Sequence, residues 1–293
     1  MSYHKSVLLQ ETIAFLNPKK GDLIIDATVG GGGHSKEFLK RGARVLGIDR
    51  DADAIEYLKR ENLTGLIVKR GNFAHIAEIA KSQGFEKAKG ILFDLGVSQH
   101  QLEEAKRGFS FQKEGPLDMR MDTDLPIRAY DIVNHFEERR LNEILKTYGQ
   151  EKFSRAISKA ICSARQIKPI ETTTQLAEIV KSAAIRGVGA RHKKSWGNKI
   201  HEATRTFQAI RIVINSELLN LQEGLPQTVE ILESGGRLAI ISFHSLEDGI
   251  VKRFLKQEKR LRVLTQKPIG PTEEEIEQNP RARSAKLRVA EKI

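Results

Sequence analysis

The chain has 293 residues, 39% of them hydrophobic, and a formal net charge of +11. That length holds one large folded domain or two smaller ones, and a single cysteine excludes a disulfide framework and a cysteine-based zinc or iron–sulfur site. Neither a charged-then-apolar leader over Met1 to Pro18 nor a run long enough to cross a bilayer is read, so a cytoplasmic enzyme with no membrane partner is expected.

Val7 to Leu16 reads as a short amphipathic helix stopped by Pro18. Leu23 to Ala27 is an apolar strand, Ser35 to Arg41 a helix, and Val45 to Ile48 a second strand closed by Asp49. Between the first strand and its helix stand four glycines, Gly30 to Gly33, then His34. Glycine lets the backbone approach a ligand closely, and an acid closing the next strand can take both hydroxyls of a ribose. Of the dinucleotide fingerprint G-x-G-x-x-G, Gly30 and Gly32 fit the first two positions, but the third falls on Ser35. S-adenosylmethionine carries no phosphate and needs only the open glycine turn and the ribose-binding acid. Asp26, at the end of the first strand, is read as orienting the glycine loop or the methionine end of that cofactor. The alternative is a flexible glycine loop without a ligand.

Helices follow at Ala52 to Glu61 and Phe73 to Gln83, with strands at Leu66 to Lys69 and Gly90 to Leu95, an alternation that predicts a parallel sheet covered on both faces. Asp94 ends the fourth strand, where the ligand crevice of such a sheet lies. A carboxylate there can accept the proton of an exocyclic amine as it is methylated, or only orient the cofactor.

From about Lys106 the rhythm breaks. Helical spacing continues at Asp131 to Lys146, Gln150 to Gln166 and Thr174 to Ile185, and a long helix is predicted over Ala203 to Glu223. Residues 106–205 hold 20 Lys and Arg against 12 Asp and Glu; Lys181, Arg186, Arg191, Lys193, Lys194 and Lys199 surround Trp196 with no acid between. A second basic run spans Lys252 to Lys267. Such patches point to a polyanion, against the plain reading of a solvated surface. Phe109 and Phe111 are candidates to stack on a flipped base, with Asp118 or Arg120 at its edge or phosphate, unless both rings merely anchor the insertion. Thr204, Gln208, Arg211 and Asn215 form a polar stripe, either a substrate-facing surface or, by default, an ordinary solvated face. Cys162 lies within a predicted helix, so the thiolate attack that cytosine C5 methylation needs is disfavoured, and nitrogen or oxygen is the expected acceptor.

Strand signals return at Arg237 to Phe243, followed by a helix through Leu255 and an antiparallel pair, Leu261 to Thr265 with Ala285 to Glu291. His244 stands where it can contact substrate, Ser245 is read as a helix N-cap with Asp248 three residues on, and Ile269 to Arg283 as a surface loop. His4 and Ser6 stand near the start of the chain and are read as able to approach the site. The eight histidines include no H-E-x-x-H pair, so no zinc-protease-type metal site is expected. The predicted organisation is an α/β domain in two parts, 1–105 and 206–293, interrupted by a helical, substrate-holding insertion at 106–205.

Seven blocks in order resemble one family: His4 to Glu11, Gly32-Gly33-His34-Ser35, Asp94 to Ser98, Arg107 to Met121, Thr204 to Arg211, Ser242 to Asp248, and Asn279 to Ser284. They are similar to the bacterial small-subunit rRNA cytosine-N4 methyltransferases, the RsmH (MraW) family, along the full chain. The resemblance implies a Rossmann-like, S-adenosylmethionine-dependent class I methyltransferase fold with an inserted helical domain. It also implies methyl transfer to the N4 amine of a cytidine in the decoding centre of 16S ribosomal RNA, within the small ribosomal subunit. The family's cofactor contacts fall here on Gly32, Gly33, His34, Asp49, Phe73, Asp94 and Gln101, with the Phe73 ring placed to pack on adenine. One departure stands out: the wider amino-methyltransferases often carry Asp/Asn-Pro-Pro-aromatic after the fourth strand, where this chain has Asp94-Leu95-Gly96-Val97. Competing readings are an NAD-dependent oxidoreductase, a non-catalytic RNA-gripping assembly protein and a DNA amino-methyltransferase.

Overall fold

The structure, a computed structural model, describes residues 6–188 and 201–293. His4, Arg191, Lys193, Lys194, Trp196 and Lys199 lie outside the described residues. The chain divides into two compact units: Met1–Gln99 with Leu218–Ile293, and His100–Glu217. The second begins and ends several residues outside the predicted 106–205.

In the first unit the elements run α1 (Leu9–Leu16), β1 (Leu23–Asp26), α2 (Gly33–Lys40), β2 (Arg44–Asp49), α3 (Ala52–Glu61), β3 (Leu66–Arg70), α4 (Ile76–Ser82) and β4 (Ala88–Asp94). In the second come α5 (Gln99–Glu103), α6 (Ala129–His135), α7 (Glu138–Gly149), α8 (Ser154–Ile167), α9 (Thr173–Val188) and α10 (Ala203–Asn215). α11 (Glu217–Ile231), β5 (Leu232–Ser242), α12 (Ser245–Gln257), β6 (Leu261–Val263), α13 (Glu273–Gln278) and β7 (Lys286–Lys292) complete the chain.

Seven strands form one sheet in the order β3-β2-β1-β4-β5-β7-β6. The first five are parallel; β7 runs antiparallel to β5, and β6 to β7. From β1 the chain winds outward to β3, then returns to place β4 on the other side. The β1/β4 boundary is therefore the switch point, outside whose carboxyl ends ligands bind. Alternate residues of each strand serve opposite faces. Ile25, Leu46, Ile91, Phe93 and Ile240 pack with Leu221, Leu225 and Val229 of α11 and Ile250 and Val251 of α12. Ile24, Val45, Leu92 and Ile241 pack on the other side with Ile13 and Leu16 of α1 and Phe38 of α2. Burial on both faces is why these strands read as continuous apolar runs.

The second unit is helical, and its described residues form no strand beyond an isolated bridge, Pro116 with Thr172. Leu141, Leu145, Ile157, Ile161, Leu176, Val180, Phe207 and Ile210 are among its buried apolar positions. Two predicted helices are each broken in two. Phe136 takes ψ 143°, which ends α6 and separates it from α7. Ser216 takes the left-handed φ of 49°, ends α10 and turns the chain into α11. Phe73–His75 forms its own one-turn 3-10 helix ahead of α4. β5 begins five residues before Arg237, passing through Gly235 at φ 76° with a register shift against β4. The predicted loop 269–283 carries α13 and a 3-10 turn whose Ala282 is fully buried.

Candidate active site

β1 delivers Asp26 to the switch point, and β4 delivers Asp94 beside it. Asp26 pairs in register with Leu92, so Asp94 lies two residues further on, where its N–H donates to Thr28 Oγ1 at 2.7 Å. The glycine turn spans the gap between β1 and α2. Gly30 and Gly32 adopt φ 47° and 76°, values that favour glycine. Gly32 is the N-cap of α2, which starts at Gly33, two residues before the predicted Ser35. An added Cβ at Gly32 would stand 2.8 Å from a methyl of Leu58.

Asp49 staples this turn. Its Oδ2 accepts from Gly30 N and its Oδ1 from Asp51 N, each at 2.9 Å. Each oxygen keeps a further lone pair, so the two together can still receive a ribose diol. Asp26 accepts from Ser35 Oγ at 2.7 Å, tying the strand end to the first turn of α2. Burial pushes the Asp26 carboxyl up to about 6, opposed by the Ser35 and Thr28 hydrogen bonds. Burial likewise raises Asp49. It raises Asp94 well above the carboxylate range, reinforced by the charges of Asp26, Glu247 and Glu275. Three partly desolvated acids around one glycine turn fit a cation carrying a ribose, as S-adenosylmethionine is with its sulfonium and ammonium groups. They oppose the pyrophosphate of a dinucleotide.

His34 is 4% exposed; its Nε2 lies 3.1 Å from the Val7 carbonyl and its Nδ1 3.8 Å from Asp94 Oδ2. Phe73 follows β3 as expected, but its ring is a core ring, edge-on to Phe93 at 5.3 Å. Gly224 of α11 permits this placement, since a Cβ there would come 2.7 Å from the Phe73 carbonyl oxygen. Gln227 secures the same turn, accepting from Ala77 N and donating to Ala74 O. Gln101 belongs to the second unit, buried in α5.

At the end of β5 the N-cap of α12 is His244 rather than Ser245, and its box partner is Glu247 rather than Asp248. Glu247 Oε2 accepts from Phe243 N and His244 N, while His244 Nδ1 accepts from Glu247 N. Asp248 instead pairs with Arg288 at 2.6 Å. Sequence reasoning missed Glu247 and Glu275 as neighbours of Asp94; the capping-box spacing His244 to Glu247 was the one available signal.

In the second unit, Arg107 is buried and donates to the carbonyls of Arg120 and Met121. Arg120 and Asp118 pair with each other in two bonds of 2.9 and 2.8 Å, and Arg120 also reaches the carbonyls of Thr123 and Leu125. Both are thus engaged in holding this loop. Phe109 is buried; Phe111 is half-buried and stacks on His201 with centroids 4.5 Å apart. The polar stripe of α10 is not a solvated face. Asn215 is buried and accepts from Met121 N while donating to Met119 O, Arg211 forms a two-bond pair with Glu217, and Gln208 bonds Tyr148 O. Cys162 sits in α8, where burial pushes its thiol up.

The family model described as the MraW methylase family matches residues 1–293. The ribosomal RNA small subunit methyltransferase H of Carboxydothermus hydrogenoformans is 46% identical over 99% of this chain and 98% of its own. The enzyme of the same name from Deinococcus deserti is 47% identical over 99% of this chain and 93% of its own. A Rossmann-like sheet, a glycine turn between strand-end acids and a family match from end to end place this chain in the MraW methylase family.

Proposed function

We propose that this methylase transfers a methyl group from S-adenosylmethionine to the N4 amine of a cytidine in the decoding centre of 16S ribosomal RNA, with the small ribosomal subunit as substrate and partner. The observation that carries the reading is the set of desolvated acids, Asp26 buried and Asp49 and Asp94 half-buried, at the ends of β1, β2 and β4 around an open glycine turn. The names of the relatives supply the RNA. A half-buried Cys162 with a raised thiol supports nitrogen over ring carbon as acceptor.

When bound, the cofactor supplies an electrophilic methyl on a sulfonium. Gly32 and Gly33 let the backbone come close to it, Asp49 takes the ribose hydroxyls, and Asp26, fixed by Ser35, faces its cationic end. His34, Phe73 and Gln101 complete the contacts. Asp94 is the catalytic acid–base group: it accepts the proton that the amine loses, and its raised proton affinity suits that task. A cation beside Asp94 favours its ionised form, so the base is generated when the site fills. The helical insertion, predicted at 106–205 and rich in Lys and Arg, holds the RNA. A cytoplasmic location follows from a ribosomal substrate, and no helix among the described residues is long and apolar enough to cross a membrane.

Asp94→Asn tests the assignment. Binding of subunits should persist while transfer falls by about 10²–10⁴-fold; transfer at the wild-type rate would remove Asp94 from the chemistry.

A further inference from the structure

One peptide group joins the two ends of the chain at this site. The N–H of Leu8 donates to Glu275 Oε1 of α13 at 2.7 Å, 267 positions away in sequence. The carbonyl of the same peptide, Val7 O, is 3.1 Å from His34 Nε2. A carbonyl can only accept, so Nε2 carries the proton, and in the neutral ring Nδ1 presents a lone pair. That nitrogen is 3.8 Å from Asp94 Oδ2. Leu8 is fully buried and held at φ 51°, a left-handed conformation that a branched side chain adopts only when its surroundings impose it. The strained residue is the one whose N–H reaches Glu275.

We propose that His34 is a positioning residue for Asp94, and that Glu275 acts on it through the Val7–Leu8 peptide. A carboxylate bonded to the N–H of an amide polarises it and makes its carbonyl a stronger acceptor. The Nε2 proton is held more firmly, the ring is fixed in one tautomer, and Nδ1 becomes more basic. This rests on Asp94 as the proton acceptor proposed above. In the transfer, the N4 lone pair forms the bond to the methyl carbon and the carbon–sulfur pair stays on sulfur. The proton shed by the amine goes to Asp94, whose protonated form the Nδ1 lone pair of His34 favours, and passes to water once the products leave, which restores the carboxylate for the next turnover. Asp26 from β1, Glu247 from α12 and Glu275 from α13 raise the proton affinity of Asp94, and a protonated His34 from α2 opposes them.

The tautomer is read by ¹⁵N NMR of the imidazoles in the full chain, His34 being assigned by triple resonance. The expected result is protonation at Nε2 with Nδ1 bare at high pH, and an upfield move of the Nε2 proton in Glu275→Gln, which keeps an acceptor for Leu8 N but loses the charge. A proton on Nδ1 instead, or an Nε2 proton that Glu275→Gln leaves unmoved, would overturn the relay. In kinetics, His34→Gln should move the acid limb of the kcat profile downward by about half a pH unit or more, because Asp94 loses the Nδ1 lone pair that favours its protonated form. A profile that keeps its limb, with only the KM for cofactor changed, would make His34 a binding residue alone. The NMR result does not depend on methyl transfer, so failure of the Asp94 assignment and failure of the relay are separate outcomes.

Discussion

At Asp26 the site opposes the fold. Burial lifts its carboxyl to about 6, from an ordinary value near 4, although Ser35 and Thr28 donate to it. Below pH ~4 the group is protonated whether folded or unfolded and has no effect. Between ~4 and ~6 the folded chain binds more protons than the unfolded one, so stability falls as pH rises, and the loss is complete above ~6. Asp26→Asn should therefore stabilise the ligand-free protein at pH 7.5 by about 1–3 kcal/mol and leave it unchanged at pH 4, while weakening cofactor binding. Thermal melts at the two pH values check this; equal Tm gains at both would show that charge is not the cause. Gly224→Ala makes a second case. A Cβ set 2.7 Å from the Phe73 carbonyl should cost about 1–3 kcal/mol by overpacking and shift the Phe73 turn. Calorimetry should then show weaker cofactor binding than in wild type, and unchanged affinity would detach Phe73 from the site. Asp26, Asp49, Asp94 and the glycines were legible because each ends or follows an apolar run. The partners of His34 and Asp94 were not, since Val7, Glu247 and Glu275 arrive from elements that no local pattern links to them.

Elements were read from periodicity, which sees a helix's face and misses a one-residue break. Apolar spacing continues from Phe207 through Ile210 and Ile214 to Leu218 and Leu221, so α10 and α11 looked like one helix. Ser216 interrupts them at φ 49° without changing the spacing. Phe136 does the same between α6 and α7 by turning extended. Glycine relieves left-handed strain, so Ser216→Gly should raise stability by about 0.5–1 kcal/mol. Denaturant titration measures it, and a destabilised variant would show that the serine hydroxyl, not the backbone, matters there. The α10 stripe was misread for a different reason. Thr, Gln, Arg and Asn look solvated in sequence, but Asn215 and Arg211 satisfy buried carbonyls and a buried glutamate instead. Composition gives no sign of such pairing.

For the whole molecule, sequence order alone indicated a parallel sheet with a helical insertion, and the observed strand order agrees. The antiparallel β7 was also legible, as a pair with β6. The insertion's edges were not, because α5 and the end of α10 continue the local helix signal past any change in charge. The excess of Lys and Arg over residues 106–205 makes a salt-sensitive complex with RNA the expected behaviour. Subunit affinity should fall steeply with ionic strength, by about 0.7–0.9 in log–log slope per phosphate contact, while cofactor affinity hardly changes; a slope near zero would exclude backbone contacts. The most direct measurement uses purified protein, labelled S-adenosylmethionine and small ribosomal subunits that lack the modification, with digestion of the RNA and mass spectrometry of its nucleosides. N4-methylcytidine at a single site in the decoding centre is the expected result. Label at another nucleoside, or no transfer to subunits by protein that binds the cofactor, would contradict it.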